Sequence, residues 1–165
     1  MTSSLDDKDV QILRRVEQDH DVNLEDLSEQ LGISKSTIHY RLKSLKEDGV
    51  IERVVAEVDP AAFGLNMRMI TEVTVVHEEG YAEKIGSKLA TIDGVKTVYY
   101  TMGDVDFVVV SRVQNRDQMN ALIDEIVAID GVNETSSTFV MDEIKDDHEV
   151  VPTLSEEMIG NVVEE

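Results

Sequence analysis

The sequence predicts an α+β chain in two parts, an N-terminal winged helix-turn-helix joined to a ferredoxin-like βαββαβ sandwich. Three observations carry this prediction. Three short stretches with apolar residues at helical spacing fill the first third of the chain, punctuated by Gly32 and Gly49. The tetrapeptide Ile92-Asp93-Gly94-Val95 recurs as Ile129-Asp130-Gly131-Val132, each time after a helical stretch and before a β-rich run. The 165 residues are 41% hydrophobic, enough to bury a core in spite of a net charge of −20.

The first helix is capped by Asp6, carries Asp7 and Asp9 in its positive first turn, and ends near Asp19, with Val10, Ile12, Leu13 and Val16 at helical spacing. After the polar stretch His20 to Asn23, Leu24, Leu27 and Leu31 mark a short second helix that stops at Gly32. Ser34 caps the third, in which Ile38, Leu42 and Leu45 fall on one face and Gly49 ends the run. Val50–Ile51 and Val54 to Val58 are β-rich and predict a small wing, closed by Asp59–Pro60.

In the second part, strand Met67 to Val76 precedes a helix over Tyr81 to Thr91, and strand Val105 to Val113 precedes a helix over Arg116 to Ala128. Glycine at each helix exit supplies the reversal into the following strand. The middle strands, Lys96 to Thr101 and Asp106 to Val113, are joined by Met102-Gly103-Asp104-Val105, a hairpin signal. Val108-Val109-Val110 is apolar on consecutive residues, so both sheet faces should be covered there, one by helices and one by a partner sheet. A homodimer formed through this domain is the expectation. The divisions are therefore 1–58 for the helix-turn-helix, 59–66 for a linker, 67–142 for the sandwich, and 143–165 for an acidic tail with only a weak apolar pattern.

Charge narrows function. Zero cysteines exclude disulfides, thiolate metal sites and cysteine nucleophiles. A polar N-terminus and the absence of an apolar run near the ~20 residues of a membrane span point to the cytoplasm. The four histidines are dispersed without metal-ligand spacing, and no phosphate-binding glycine loop occurs, so neither cofactor nor enzyme activity is expected. A charge of −20 argues at first against nucleic acid. The bases, however, are concentrated: Lys35, Arg41, Lys43 and Lys46 lie between Ser34 and Lys46 with no acid among them. With the apolar face turned inward, Lys35, Ser36, Thr37, Tyr40, Arg41 and Ser44 occupy exposed or flanking positions on the second helix of a helix-turn-helix, where cations and hydroxyls suit groove entry. An ordinary solvated amphipathic helix is the rival reading of that pattern.

These residues bring the chain to a recognisable family. Leu5-Asp6, Asp9, Ile12-Leu13, the run Leu27 to Ser34, Arg41-Leu42, Leu45 and Gly49-Val50-Ile51 resemble the N-terminal domain of the Lrp/AsnC transcriptional regulators. Asp59-Pro60 and Phe63-Gly64 are similar to that family's linker, and Gly103-Asp104-Val105-Asp106-Phe107 resembles the hairpin of its RAM effector domain. The resemblance covers about residues 5–142. It implies a sequence-specific regulator binding double-stranded promoter DNA as a homodimer or higher homo-oligomer, with an amino acid or related metabolite held between subunits. It implies DNA contacts from Lys35, Ser36, Thr37, Tyr40 and Arg41, phosphate contacts from Lys43 and Lys46, and a contribution from Arg53 in the wing; Ser34 and His39 join the candidates by their place on the same helix, a plain surface histidine being the other reading of His39. It maps an effector pocket onto Thr101, Met102, Gly103, Asp104 and Asp106, with Thr135, Ser136, Ser137 and Thr138 supplied by a neighbouring subunit. On local sequence alone, Gly103 and Asp104 equally suit a plain turn, and Thr135 to Thr138 a plain strand. A small-molecule sensor or protein-interaction module that never engages DNA is the alternative function. The extreme acidity, finally, suggests a salt-in halophile, an archaeon, in whose cytoplasm molar salt shortens the Debye length to about 3 Å.

Overall fold

The computed structural model describes residues 5–18, 22–146 and 148–163. The chain divides into two units, one containing residues 1–57 together with 145–165 and the other residues 58–144.

The first unit is built on three helices. Helix α1 (Asp7–Gln18) starts from a reciprocal cap in which the Asp9 amide donates to Asp6 Oδ1 at 2.9 Å and the Asp6 amide to Asp9 Oδ2 at 3.1 Å. Two orphan N–H groups of the helix start are thereby satisfied. The predicted end at Asp19, and His20 of the following polar stretch, lie outside the described residues. Asn23 caps α2 (Leu24–Leu31), and Gly32, at φ 65°, stops it as expected. Ser34 caps α3 (Lys35–Glu47) through the Thr37 amide. Val10, Ile12, Leu13, Leu27, Leu31, Ile38 and Leu45 form one buried cluster, with Leu42 half-buried against it.

One local prediction fails. Val50–Ile51 and Val54 to Val58 form no strand, and Val54, Val55 and Val58 are exposed. Their β-propensity finds no partner strand among the described residues, and propensity without pairing does not make a strand. Asp59 instead caps a 3-10 turn over Pro60–Phe63, where proline pre-sets the backbone and Gly64 closes the turn.

The second unit is a four-stranded antiparallel sheet with strand order β2-β3-β1-β4, from β1 (Met67–Val75), β2 (Val95–Tyr100), β3 (Phe107–Val113) and β4 (Val132–Phe139). Helices α4 (Tyr81–Leu89) and α5 (Arg116–Val127) follow β1 and β3, which is the predicted βαββαβ order. Met69, Val73, Val75, Phe107, Val109 and Val113 point to one face and pack with Ile85, Leu89, Leu122 and Ile126 of the helices. The repeated Ile-Asp-Gly-Val makes the same turn twice, with Val95 donating to the Ile92 carbonyl and Val132 to that of Ile129. Its glycines are obligatory. Gly94 has φ 87° and a Cβ there would stand 2.9 Å from the Arg112 carbonyl oxygen; Gly131 has φ 99° and would meet Ile85 at 3.0 Å.

The opposite face carries Ile70 opposite Val110, and Val108 opposite Glu72. Val109 is buried under the helices, whereas Val108 and Val110 are half-buried and Ile70 is exposed, so a single chain covers only one of the two faces. At one end of this face Arg68 and Arg112 are register partners, and both pair with Glu143.

The last residues return to the first unit. Val151 is buried in the helix-turn-helix cluster, and Ile159 and Val163 pack against it. The weak apolar pattern expected of an acidic tail thus supplies the few residues that pack. A short 3-10 turn at Val151–Thr153 is followed by α6 (Glu156–Gly160), capped by Ser155.

Candidate functional site

Helix α3 presents its residues in two classes. Ile38 and Leu45 are buried, while Ser34, Lys35, Ser36, Thr37, His39, Tyr40, Lys43 and Lys46 are exposed and Arg41 and Ser44 are intermediate. A helix anchored by one apolar face must offer the other to solvent. Tyr40, 73% exposed, is the largest exposed side chain with apolar surface on it.

The predicted contacts are held in different ways. Ser34 Oγ accepts from the Thr37 amide at 3.1 Å and lies 2.8 Å from the hydroxyls of Ser36 and Thr37, so three hydroxyls converge on the helix start. Lys35 pairs with Glu25 of α2 at 2.5 Å, and its ammonium holds the Glu25 carboxyl below the usual carboxylate range. Lys43 lies 3.6 Å from Glu47 one turn on. Both pairs are exposed and exchange readily with other anions. Arg53 is exposed on the irregular segment after α3.

Arg41 differs from these. Its Nη1 lies 2.7 Å from both Asp6 and Asp9 of α1, and its side chain is only 28% exposed. The hydrogen bond to Asp9 raises the guanidinium pKa above its ordinary value, with burial opposing and Asp6 adding to the rise. Burial alone would raise the Asp6 carboxyl, but the Asp9 amide and Arg41 outweigh it and the net shift is downward. This arginine ties α3 to α1. Sequence reading had Asp6 and Asp9 only as helix-start residues; their spacing of three at a cap also fits a fork for one guanidinium.

In the second unit the hairpin between β2 and β3 brings Thr101, Met102, Gly103, Asp104 and Asp106 together. The Thr101 amide donates to the Asp106 carbonyl at 2.8 Å and its hydroxyl to the Val105 carbonyl at 2.5 Å. Met102 and Asp104 stand out in solvent. Asp106 is buried: Oδ2 accepts from the Val75 amide at 2.8 Å and Oδ1 lies 2.6 Å from His77 Nε2. His77 stacks on Tyr81, whose hydroxyl meets that of Tyr100 at 2.7 Å, and this hydrogen bond pushes the Tyr81 phenol up to about 12. Sequence reading missed this cluster, because His77 has no motif around it and becomes a neighbour of Asp106 only through the β1–β3 pairing.

Strand β4 divides its four hydroxyl residues. Thr135 pairs with Val73 and Ser137 with Thr71, whereas Ser136 and Thr138 pair with Glu72 and Ile70 on the other face. Since Phe107 also pairs with Val73, Thr135 stands on the cross-sheet row next to the hairpin, and the others recede along the strand. Ser137 is occupied with the buried Thr71 at 2.9 Å. Within one chain the four therefore do not converge with the hairpin on a single pocket. No group of three or more potential metal ligands occurs among the described residues.

Comparison with known proteins adds the family. The winged helix-turn-helix DNA-binding profile matches residues 5–52, and that of the Lrp/AsnC ligand binding domain matches residues 68–150. The HTH-type transcriptional regulator FL11 of Pyrococcus furiosus is 36% identical over 86% of this chain and 92% of its own length. Among solved structures, an AsnC family transcriptional regulator from Agrobacterium tumefaciens superimposes with a TM-score of 0.82 at 26% identity, over 88% of this chain and 96% of that one. Transcriptional regulator NMB0573 of Neisseria meningitidis, solved in complex with L-Met, shares the fold with a TM-score of 0.83 at 22% identity, over 88% and 96% of the two chains. The chain belongs to the Lrp/AsnC family: it is a DNA-binding transcriptional regulator with a small-molecule-sensing domain, and not an enzyme.

Proposed function

We propose that α3 is the recognition helix, with Ser34, Lys35, Ser36, Thr37, His39 and Tyr40 reading or flanking base edges and Lys43, Lys46 and Arg53 on phosphates. The observation that carries this reading is the exposed N-terminal half of α3, fixed from beneath by Ile38 and Leu45. Arg41, first expected as a DNA contact, acts by holding α3 against α1. Lys35 exchanges Glu25 for a phosphate or a guanine acceptor on binding. Operator fragments selected by the protein, tested by mobility shift, decide the matter: Lys35→Ala should weaken binding by about 1–3 kcal/mol for a base contact, or reduce the salt slope by about one for a phosphate contact. Unchanged affinity and slope would refute the assignment.

The effector is an amino acid or related metabolite, taken by Thr101 to Asp106 of one subunit with Thr135 to Thr138 of another. The separation of these groups within one chain supports a site completed by a second copy, and the L-Met bound by the Neisseria protein of the same fold supports an amino acid as the ligand class. The half-buried Val108 and Val110 with exposed Ile70 support the open sheet face as the dimer surface. Calorimetric titration with individual amino acids, and light scattering with and without them, tests both. The chain works in a salt-rich cytoplasm, that of a haloarchaeon; its net charge of −20 supports this, and its melting temperature should rise as KCl increases into the molar range.

A further inference from the structure

Helix α1 has a broad apolar face: at about 100° per residue, Val10, Leu13, Val16 and Ile12 spread over an arc of about 160°. Helices α2 and α3 take part of it. Val151, at 7% exposure, joins the same cluster, with Ile159 and Val163 against it. Both oxygens of Glu17, near the end of α1, accept backbone amides from this segment, Val150 on one and Val151 on the other, each at 2.9 Å. At the opposite end of α1, Leu5 forms a parallel bridge with Val163, next to the Asp6 that grips Arg41. Residues 151–163 lie beyond both family profiles, which end at 52 and 150.

We propose that residues 149–163 are an arm that docks on α1 of its own chain and, through Asp6, Asp9 and Arg41, braces α3. The chain then crosses between the two units twice, once before the sheet and once after it. The helix-turn-helix unit is therefore joined to the sheet unit by two chain connections. The occupant of the α1 face is fixed by shape: Val151 fills the apolar gap, Glu17 caps the turn that carries it, and Val163 closes beside Leu5. The effect on operator binding rests on α3 being the DNA-contacting helix; the docking does not.

Because the chain has no cysteine, the full-length Leu5→Cys/Val163→Cys variant allows one disulfide per chain. Oxidation should give an intramolecular bond, read as a monomer on a non-reducing denaturing gel and a mass two hydrogens lower. Covalent dimers as the main product, or no bond, would overturn docking within the chain. Glu17→Gln should speed amide exchange at Val150 and Val151 about tenfold, as for a lost charge-assisted hydrogen bond, and loosen α1 with them. Unchanged exchange would overturn the cap. Removing residues 149–165 should lower operator affinity about tenfold while leaving β1–β3 protected; affinity equal to that of the intact chain would overturn the brace. Intact protein without operator affinity would instead refute the reading of α3, with the disulfide and exchange results still deciding the arm.

Discussion

Helix α3 and the hairpin of residues 101–106 are both built to present polar groups, yet they differ in what those groups are already doing. On α3 the exposed cations hold exposed acids, Lys35 with Glu25 and Lys43 with Glu47, pairs of small net energy that a stronger anion displaces. In the hairpin the best hydrogen-bonding groups are spent on the fold, Thr101 on Val105 and Asp106 on Val75 and His77. The first surface can bind with little rearrangement. The second has its main hydrogen-bonding groups already committed within the fold. Arg41 belongs with the hairpin in this respect, since it sits on α3 but is committed to Asp6 and Asp9.

The largest effects should come from the supports beneath each region. Phe107→Ala, at a side chain 1% exposed below the hairpin, should cost about 3–5 kcal/mol, and Ile38→Ala, at 0% below α3, about 2–5 kcal/mol. Hydrogen exchange should place each loss in its own unit; a loss shared equally by both units would break the contrast. Next, Asp106→Ala leaves the buried Val75 amide without its acceptor and should cost about 1–3 kcal/mol in denaturant unfolding, whereas Lys35→Ala, on an exposed pair, should leave stability unchanged. Arg41→Ala separates bracing from contact: lower stability of the first unit with an unaltered salt slope of DNA binding is the expected result, and a slope reduced by about one would make it a phosphate contact.

Acid titration sharpens the same point. Asp6 has its folded pKa below the ordinary value, so the brace is complete above that value and is lost as pH falls through the depressed one. Asp6→Asn should remove this part of the acid transition. The smallest effect is spectroscopic. Tyr81 should ionise near pH 12 and return toward 10.0 in Tyr100→Phe, read by the ultraviolet absorbance of the phenolate.

How far the sequence reaches depends on whether a feature is local. Helix starts at Asp6 and Ser34 were readable because a cap concerns three or four consecutive residues, and the glycine turns at Gly94 and Gly131 because they repeat; the cap at Asn23 passed unread within a polar stretch. The exposed set on α3 follows from its period. Arg41 looked like its neighbours because its partners lie 32 residues away, and His77 was silent because Asp106 is 29 residues away. The strands expected of the wing are absent for the opposite reason, since a local β signal at Val54 to Val58 requires a partner that the described residues of one chain do not provide. Residues 149–163 were the least legible, because their apolar positions gain meaning only against the wide apolar arc of α1.

The strand order leaves β2 and β4 as the two margins of the sheet, and β4 is rich in hydroxyls, Thr135 to Thr138, with nothing bulky to obstruct another strand. Such a margin invites uncontrolled stacking of one molecule on the next. Here the guard is colloidal: at −20 each molecule repels its copies at long range in dilute buffer, and added salt removes that repulsion. Once salt has screened that repulsion, only the fit between surfaces separates an ordered contact from random stacking.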